Sequence, residues 1–151
     1  MSKYWGPPCW MFMHVLATRI KPEEFEGMKE NLWQLINEIC GNLPCPECRQ
    51  HAIASMKNTN KKLILSSRVN FETFLFDFHN TVNRRNGSRM FTRAEYDEKY
   101  KTADFRKIVI NFINSFNRST RNSNLMIETF HRQRFIQQFI TWINTYKDKF
   151  A

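Results

Sequence analysis

Residues 25–48 read FEGMKENLWQLINEICGNLPCPEC. Phe25, Met28, Leu32, Leu35, Ile36 and Ile39 recur at three- and four-residue intervals, the single apolar stripe of an amphipathic helix. Gly41-Asn42 supplies a stop, because glycine readily takes the backbone conformation that closes a helix. After the short link Leu43-Pro44, Cys45-Pro46-Glu47-Cys48 predicts the first turn of another helix, running to about Met56. The proline fits there because a first-turn N–H has no intrahelical partner to lose.

Helices extend in both directions from this stretch. Pro7 and Pro8 suit a helix entry, followed by Trp10, Met13, His14 and Ala17 at helical spacing, and Lys21-Pro22 ends that segment. The polar, Asn-rich run Lys57 to Ser67 predicts a loop. A fourth helix is expected from about Asn70 to Arg85, with Phe71, Phe74, Leu75, Phe78 and Val82 facing inward and Asn86-Gly87 ending it. Thr92-Arg93-Ala94-Glu95 fits a capping box and starts a short fifth helix. Two further amphipathic stretches follow, Phe105 to Phe116 and Leu125 to Tyr146, joined by a link at 117–124. There is no internal repeat. The expectation is an all-α chain: a bundle at residues 1–101 and a helical extension at 102–151. The extension's stripe of Phe130, Phe135, Ile136, Phe139, Ile140 and Ile143 must bury against the bundle or a second subunit.

Composition agrees with this reading. The 151 residues suit one domain, and with 42% hydrophobic and 15% aromatic side chains there is enough apolar material for a core, which excludes a disordered tail. Only 4 Gly and 5 Pro argue against a loop-rich β-sandwich, and 4 Cys are too few for a disulfide scaffold. No run reaches the roughly 18 apolar residues of a membrane span. The opening MSKYWGPP has no signal-peptide core, so a cytoplasmic, reducing setting is expected, where cysteines serve catalysis or metal binding. The net charge of +9 is concentrated late in the chain: residues 102–151 carry 8 basic and 3 acidic side chains. A basic end attracts phosphates, acidic proteins or nucleic acid, or is simply a solvated surface.

Cys45 and Cys48 carry the strongest chemical signal. A helix N-terminus favours thiolates, so this pair is expected to react near neutral pH. The spacing alone leaves three readings open: a redox pair, half of a zinc site completed by His51 with His14 or His79, or an inert pair. Cys9 and Cys40 stand alone on helices, where a cysteine usually acts as a small buried apolar residue. His14, His79, Asn80 and Asn83 are each explicable as ordinary core or surface residues.

Taken together and in order, three motifs are more specific: Trp5-Gly6, Trp10 and His14; Leu43-Pro44-Cys45-Pro46-Glu47-Cys48; and Phe78-His79-Asn80-Thr81-Val82-Asn83. This combination resembles the Erv/ALR family of FAD-linked sulfhydryl oxidases over residues 4 to about 101, in the short form encoded by large DNA viruses. The resemblance implies a four-helix bundle with a short fifth helix, FAD inside its mouth, and a homodimer pairing through the first two helices. It places Trp5, Gly6, Trp10 and His14 on the cofactor, Cys48 against the isoalloxazine, and His79, Asn80, Val82, Asn83 and Arg85 around the nucleotide, with Tyr96 or Tyr100 closing the adenine side. It makes Cys45 and Cys48 the catalytic disulfide and requires no metal. Cys45 would be attacked by the dithiol of a protein substrate or a thioredoxin-like redox protein. FAD would pass the two electrons to O₂, giving H₂O₂. The setting implied is host cytoplasm or virion, without membrane or nucleic-acid binding.

The sequence departs from that pattern in three ways. No cysteine follows Cys48, so packing must hold the fifth helix. Neither end of the sequence carries a shuttle cysteine pair. Ser88 stands where a lysine is frequent, leaving Arg85 or Arg89 for the phosphates. The competing function is a zinc-stabilised helical module that binds nucleic acid or an acidic partner, and a third is an inert helical scaffold.

Overall fold

The computed structural model describes residues 4–121 and 126–151, with side chains at 4–118 and 127–151. The helices are α1 (Gly6–Arg19), α2 (Phe25–Gly41), α3 (Pro46–Lys57), α4 (Lys61–Ile64), α5 (Arg68–Asn86), α6 (Arg93–Lys101), α7 (Phe105–Arg121) and α8 (Met126–Tyr146). The all-α class and most of the expected boundaries hold.

Local chemistry sets the helix ends. The Ser67 hydroxyl accepts from the Asn70 N–H at 3.0 Å, and Thr92 caps α6 in the same way at 3.1 Å. Gly87, with φ of 72°, ends α5 in the left-handed conformation that glycine adopts without strain. The expected loop at 57–67 contains α4. Its cap is Asn60, whose side chain accepts from the Leu63 N–H at 3.1 Å, a signal hidden in a run that reads as polar. Helix α7 continues to Arg121, into the stretch expected to be a link. The expected start of the last helix at Leu125 lies outside the described residues.

Helix α1 is the axis of the molecule. Cys9 and every residue from Phe12 to Ala17 are buried, so the middle of this helix has no solvent face. On one side Trp10 meets Phe78 of α5 edge-on at 5.2 Å between ring centroids. On the other, Phe12 lies 4.9 Å from Phe112 of α7 and 5.0 Å from Phe139 of α8. The whole expected stripe of α2 is buried. On α5, Phe71, Leu75 and Phe78 are buried, while Phe74 and Val82 are half-buried.

In the extension, Phe135, Ile136 and Phe139 are buried, but Phe130 and Ile140 are 62% and 37% exposed. At about 100° per residue these two fall off the face defined by the others, so the expected stripe is narrower than its apolar composition suggests. The last residues return to the end of α1. The Lys21 N–H donates to Lys149 O at 3.0 Å and the Ala151 N–H to Arg19 O at 2.8 Å, while Phe150 stacks on Phe105 at 5.0 Å. The Arg19 guanidinium also donates to the Ala103 carbonyl.

Phe112 is fully buried and touches Phe12, Phe116, Phe135 and Phe139. Phe112→Ala is expected to cost about 3–5 kcal/mol in urea unfolding, as aromatic truncations in cores do. Ile140→Ala, on the open side of α8, should cost less than about 1 kcal/mol.

Candidate functional site

A cavity of about 380 Å³ opens between the start of α1, the end of α2, the first turns of α3, and helices α5 and α6. Trp5, Gly6, Trp10, Cys48, His79, Val82, Asn83 and Arg85 line it, so residues far apart in sequence meet on one wall. The helical frame explains the convergence. His79, Val82, Asn83 and Asn86 follow three- and four-residue spacing along α5 and present one face to the cavity.

Three of the expected site residues do not line the cavity. His14 is fully buried one layer behind the wall, where its Nε2 lies 2.9 Å from His79 Nδ1. Asn80 turns away on α5. Its amide donates to the Phe91 carbonyl at 2.8 Å and its oxygen accepts from the Phe91 N–H at 2.7 Å, which pins the segment between α5 and α6. Cys45 sits at the N-cap of α3, half-buried and off the wall.

The wall is aromatic and uncharged at its centre. Trp10 and His79 stack at 4.3 Å with 10° between their planes. Burial, then the nearby Lys99, lowers His79 to about 4. Burial, then the charges of His79, Lys99 and Arg93, holds His14 well below its usual range. Both imidazoles are therefore neutral at pH 7, and the contact between them uses one donor and one acceptor nitrogen. The other nitrogen of His14, Nδ1, is buried without a partner, as is the Tyr96 hydroxyl. Tyr100, on the next turn of α6, reaches the cavity, whereas Tyr96 is fully buried behind it.

The thiol pair is less activated than the motif suggests. Cys45 Sγ accepts the Cys48 N–H at 3.2 Å, which closes the first turn of α3. In the dithiol form Cys48 is pushed up to about 12, first by burial and then by the hydrogen bond and charge of Cys45 and the charge of Glu47. These effects outweigh the backbone N–H groups at the helix start, so the expected easy thiolate at Cys48 does not hold for the free dithiol. Cys9 and Cys40 also reach the cavity from behind. Both are buried, and burial raises both thiols, Cys40 to about 12.

Two cations border the opening, Arg85 and Lys99. Arg89, the other candidate, is taken by Glu95 in two bonds of 2.8 and 2.9 Å. Lys99 went unnoticed in the sequence. It follows the Tyr96 and Tyr100 spacing on α6 and supplies an ammonium that the loop at Ser88 lacks. The wall therefore offers flat rings, a thiol, the Asn83 amide and two cations. That donor set fits a cofactor with planar heterocycles and phosphates. The zinc set does not assemble: His51 pairs with Glu47 at 3.6 Å, and among the described residues no three His, Cys, Asp or Glu side chains converge.

The family model described as Erv1 / Alr matches residues 7–101. A FAD-linked sulfhydryl oxidase of African swine fever virus is 30% identical over 105 residues, covering 70% of this chain and 87% of that protein. A FAD-linked sulfhydryl oxidase of Arabidopsis thaliana is 26% identical over 63% of this chain and 49% of its own. No solved structure matches. The matched span runs from the first turn of α1 to the end of α6 and contains nearly every residue of the cavity wall, and the chain belongs to the Erv1/Alr family.

Proposed function

We propose that this protein is a FAD-linked sulfhydryl oxidase that makes disulfides in dithiol substrates. The observation that carries the reading is that Cys48 of a C-x-x-C pair shares one cavity with Trp10, His79, Asn83 and Arg85. Trp5, Gly6, Trp10, His79, Val82 and Asn83 would hold the flat rings, and Arg85 and Lys99 the phosphates. His14 would act through His79, and Asn80 through the Phe91 segment. Bound FAD would supply the two-electron acceptor for the reduced thiol pair and pass the electrons to O₂, giving H₂O₂.

The chain's own part is thiol–disulfide exchange. With Cys45 and Cys48 joined, a substrate thiolate attacks Cys45 Sγ, the sulfur off the cavity wall, and the Cys45–Cys48 bond breaks. The electron pair of that bond leaves on Cys48, already at the cavity. A second substrate thiolate attacks the substrate sulfur of the mixed disulfide and releases Cys45 as a thiolate. Because a lone Cys48 thiolate is disfavoured by burial, it is a good donor to an acceptor seated beside it.

The substrate is a dithiol protein or a thioredoxin-like redox protein. The functional bundle is residues 1–101, with 102–151 as a covering extension. A homodimer belongs to the proposal and would use α2 and other open surfaces, since α7 and α8 already cover the far side of α1. Among the described residues no helix is long and apolar enough to cross a membrane. With viral relatives among those matched, host cytoplasm or virion is the proposed setting.

Oxygen uptake with dithiothreitol should fall to background in both Cys45→Ser and Cys48→Ser, with flavin content kept; wild-type uptake in both would refute the assignment. His79→Ala with Asn83→Ala should purify with much less flavin and melt at a lower temperature, because a ligand bound only to the folded state stabilises it. A third expectation concerns pH. Unfolded histidine titrates near 6.5 and His79 in the folded protein near 4, so the unfolded state takes up the proton first as pH falls. The stability from a neutral His79 is complete above about 6.5 and lost on descent to about 4. Urea midpoints at pH 7 and pH 4.5 should differ more for wild type than for His79→Gln.

A further inference from the structure

A second cavity, of about 400 Å³, lies against the segment that leads into Cys45. Its walls are Gly41 and Asn42 from the end of α2, Arg49 from α3, and Glu128, His131, Arg132 and Arg134 from α8. Three guanidinium groups face one carboxylate. Arg49 joins the cavity to the thiol motif: it directly follows Cys48, donates to the Leu43 carbonyl at 2.7 Å, and pairs with Glu128 at 2.8 Å.

Arg132 is the informative member. It is 3% exposed, and its Nε is buried without a hydrogen-bond partner. Its closest carboxylate contact is a long 3.8 Å approach to Glu128, whose nearer bond goes to Arg49. A buried guanidinium is expected to have its donors filled. Arg134 borders the same cavity from the surface. The cavity thus keeps positive charge beyond what Glu128 neutralises, with the buried Arg132 Nε unpaired.

We propose that this cavity binds a carboxylate side chain of the dithiol substrate, so that the enzyme prefers clients carrying Asp or Glu near the reacting cysteine. The chemistry is already present on the page: Arg49 holds the Glu128 carboxylate in this cavity, and planar guanidinium groups match carboxylates. The location selects a polypeptide ligand, because Asn42 and Arg49 of the cavity wall bracket in sequence the segment that carries Cys45 and Cys48. The inference rests on the oxidase reading only for the identity of the client.

The test uses the full chain and a set of labelled peptides, each with one Glu walked through the positions flanking a Cys-x-x-Cys sequence, and matched Gln controls. Ser-x-x-Ser versions measure binding by anisotropy without turnover, and the cysteine versions measure KM by oxygen uptake. At least one Glu position should bind roughly tenfold more tightly than its Gln control, the scale of one charge-assisted hydrogen bond. The preference should shrink in Arg134→Gln and Arg132→Met, with dithiothreitol oxidation unchanged. Arg134 is on the surface, so its variant decides the matter even if Arg132→Met loses its fold by circular dichroism. Equal binding of Glu and Gln peptides at every position, or an undiminished preference in Arg134→Gln, overturns the proposal. Selective binding with no dithiothreitol oxidation would uphold the carboxylate site and refute the oxidase reading instead.

Discussion

A helix with apolar residues on every side has to be covered on every side, and α1 imposes that constraint on the rest of the molecule. Its Trp10 and His14 side requires α5 and α6, which brings His79, Tyr96 and Tyr100 inward. Its Phe12 side requires α7 and α8, which accounts for the fold of the extension. One helix therefore contributes to the cavity wall on one side and to an aromatic core on the other. Apolar burial supplies most of the stability, and the site inherits its geometry from that packing.

The neutral histidine pair shows how the two roles meet. His14 takes no place on the cavity surface, yet it fixes the ring that does. A charged imidazole at either position would face Lys99 and, for His14, Arg93. Burial and those cations keep both rings uncharged, so the wall offers aromatic faces and neutral hydrogen-bonding nitrogens. The cations then stand apart at the rim, where anionic groups are best met.

Much of this was legible in the residues. The stripe from Phe25 to Ile39 gave α2 its correct buried face, and the Thr92 and Gly87 signals marked helix ends correctly, because these effects are local. The three motifs, with Trp5, Gly6 and Arg85 beside them, named eight residues that the fold brings to the cavity wall. The misses were tertiary. Asn80 sits in the same motif as His79 and Asn83, but one helical step turns it toward Phe91, and spacing alone could not tell which side the cavity occupied. Cys48 is governed by burial, which no one-dimensional pattern reports. Lys99 was overlooked because a lysine in a charged helix usually faces water, and only the packing of α6 on α1 brings it to the rim.

The backbone bonds that tie Lys149 and Ala151 to the end of α1 have a consequence for how the protein is made. Arg19 and Ala151 are 132 positions apart, so contacts around α1 are completed by residues synthesised much later. An all-helical chain usually folds early through neighbours in sequence. Here α1 keeps an uncovered Phe12 face until α7 and α8 have followed it from the ribosome. Until then the growing chain presents the kind of apolar surface that chaperones bind.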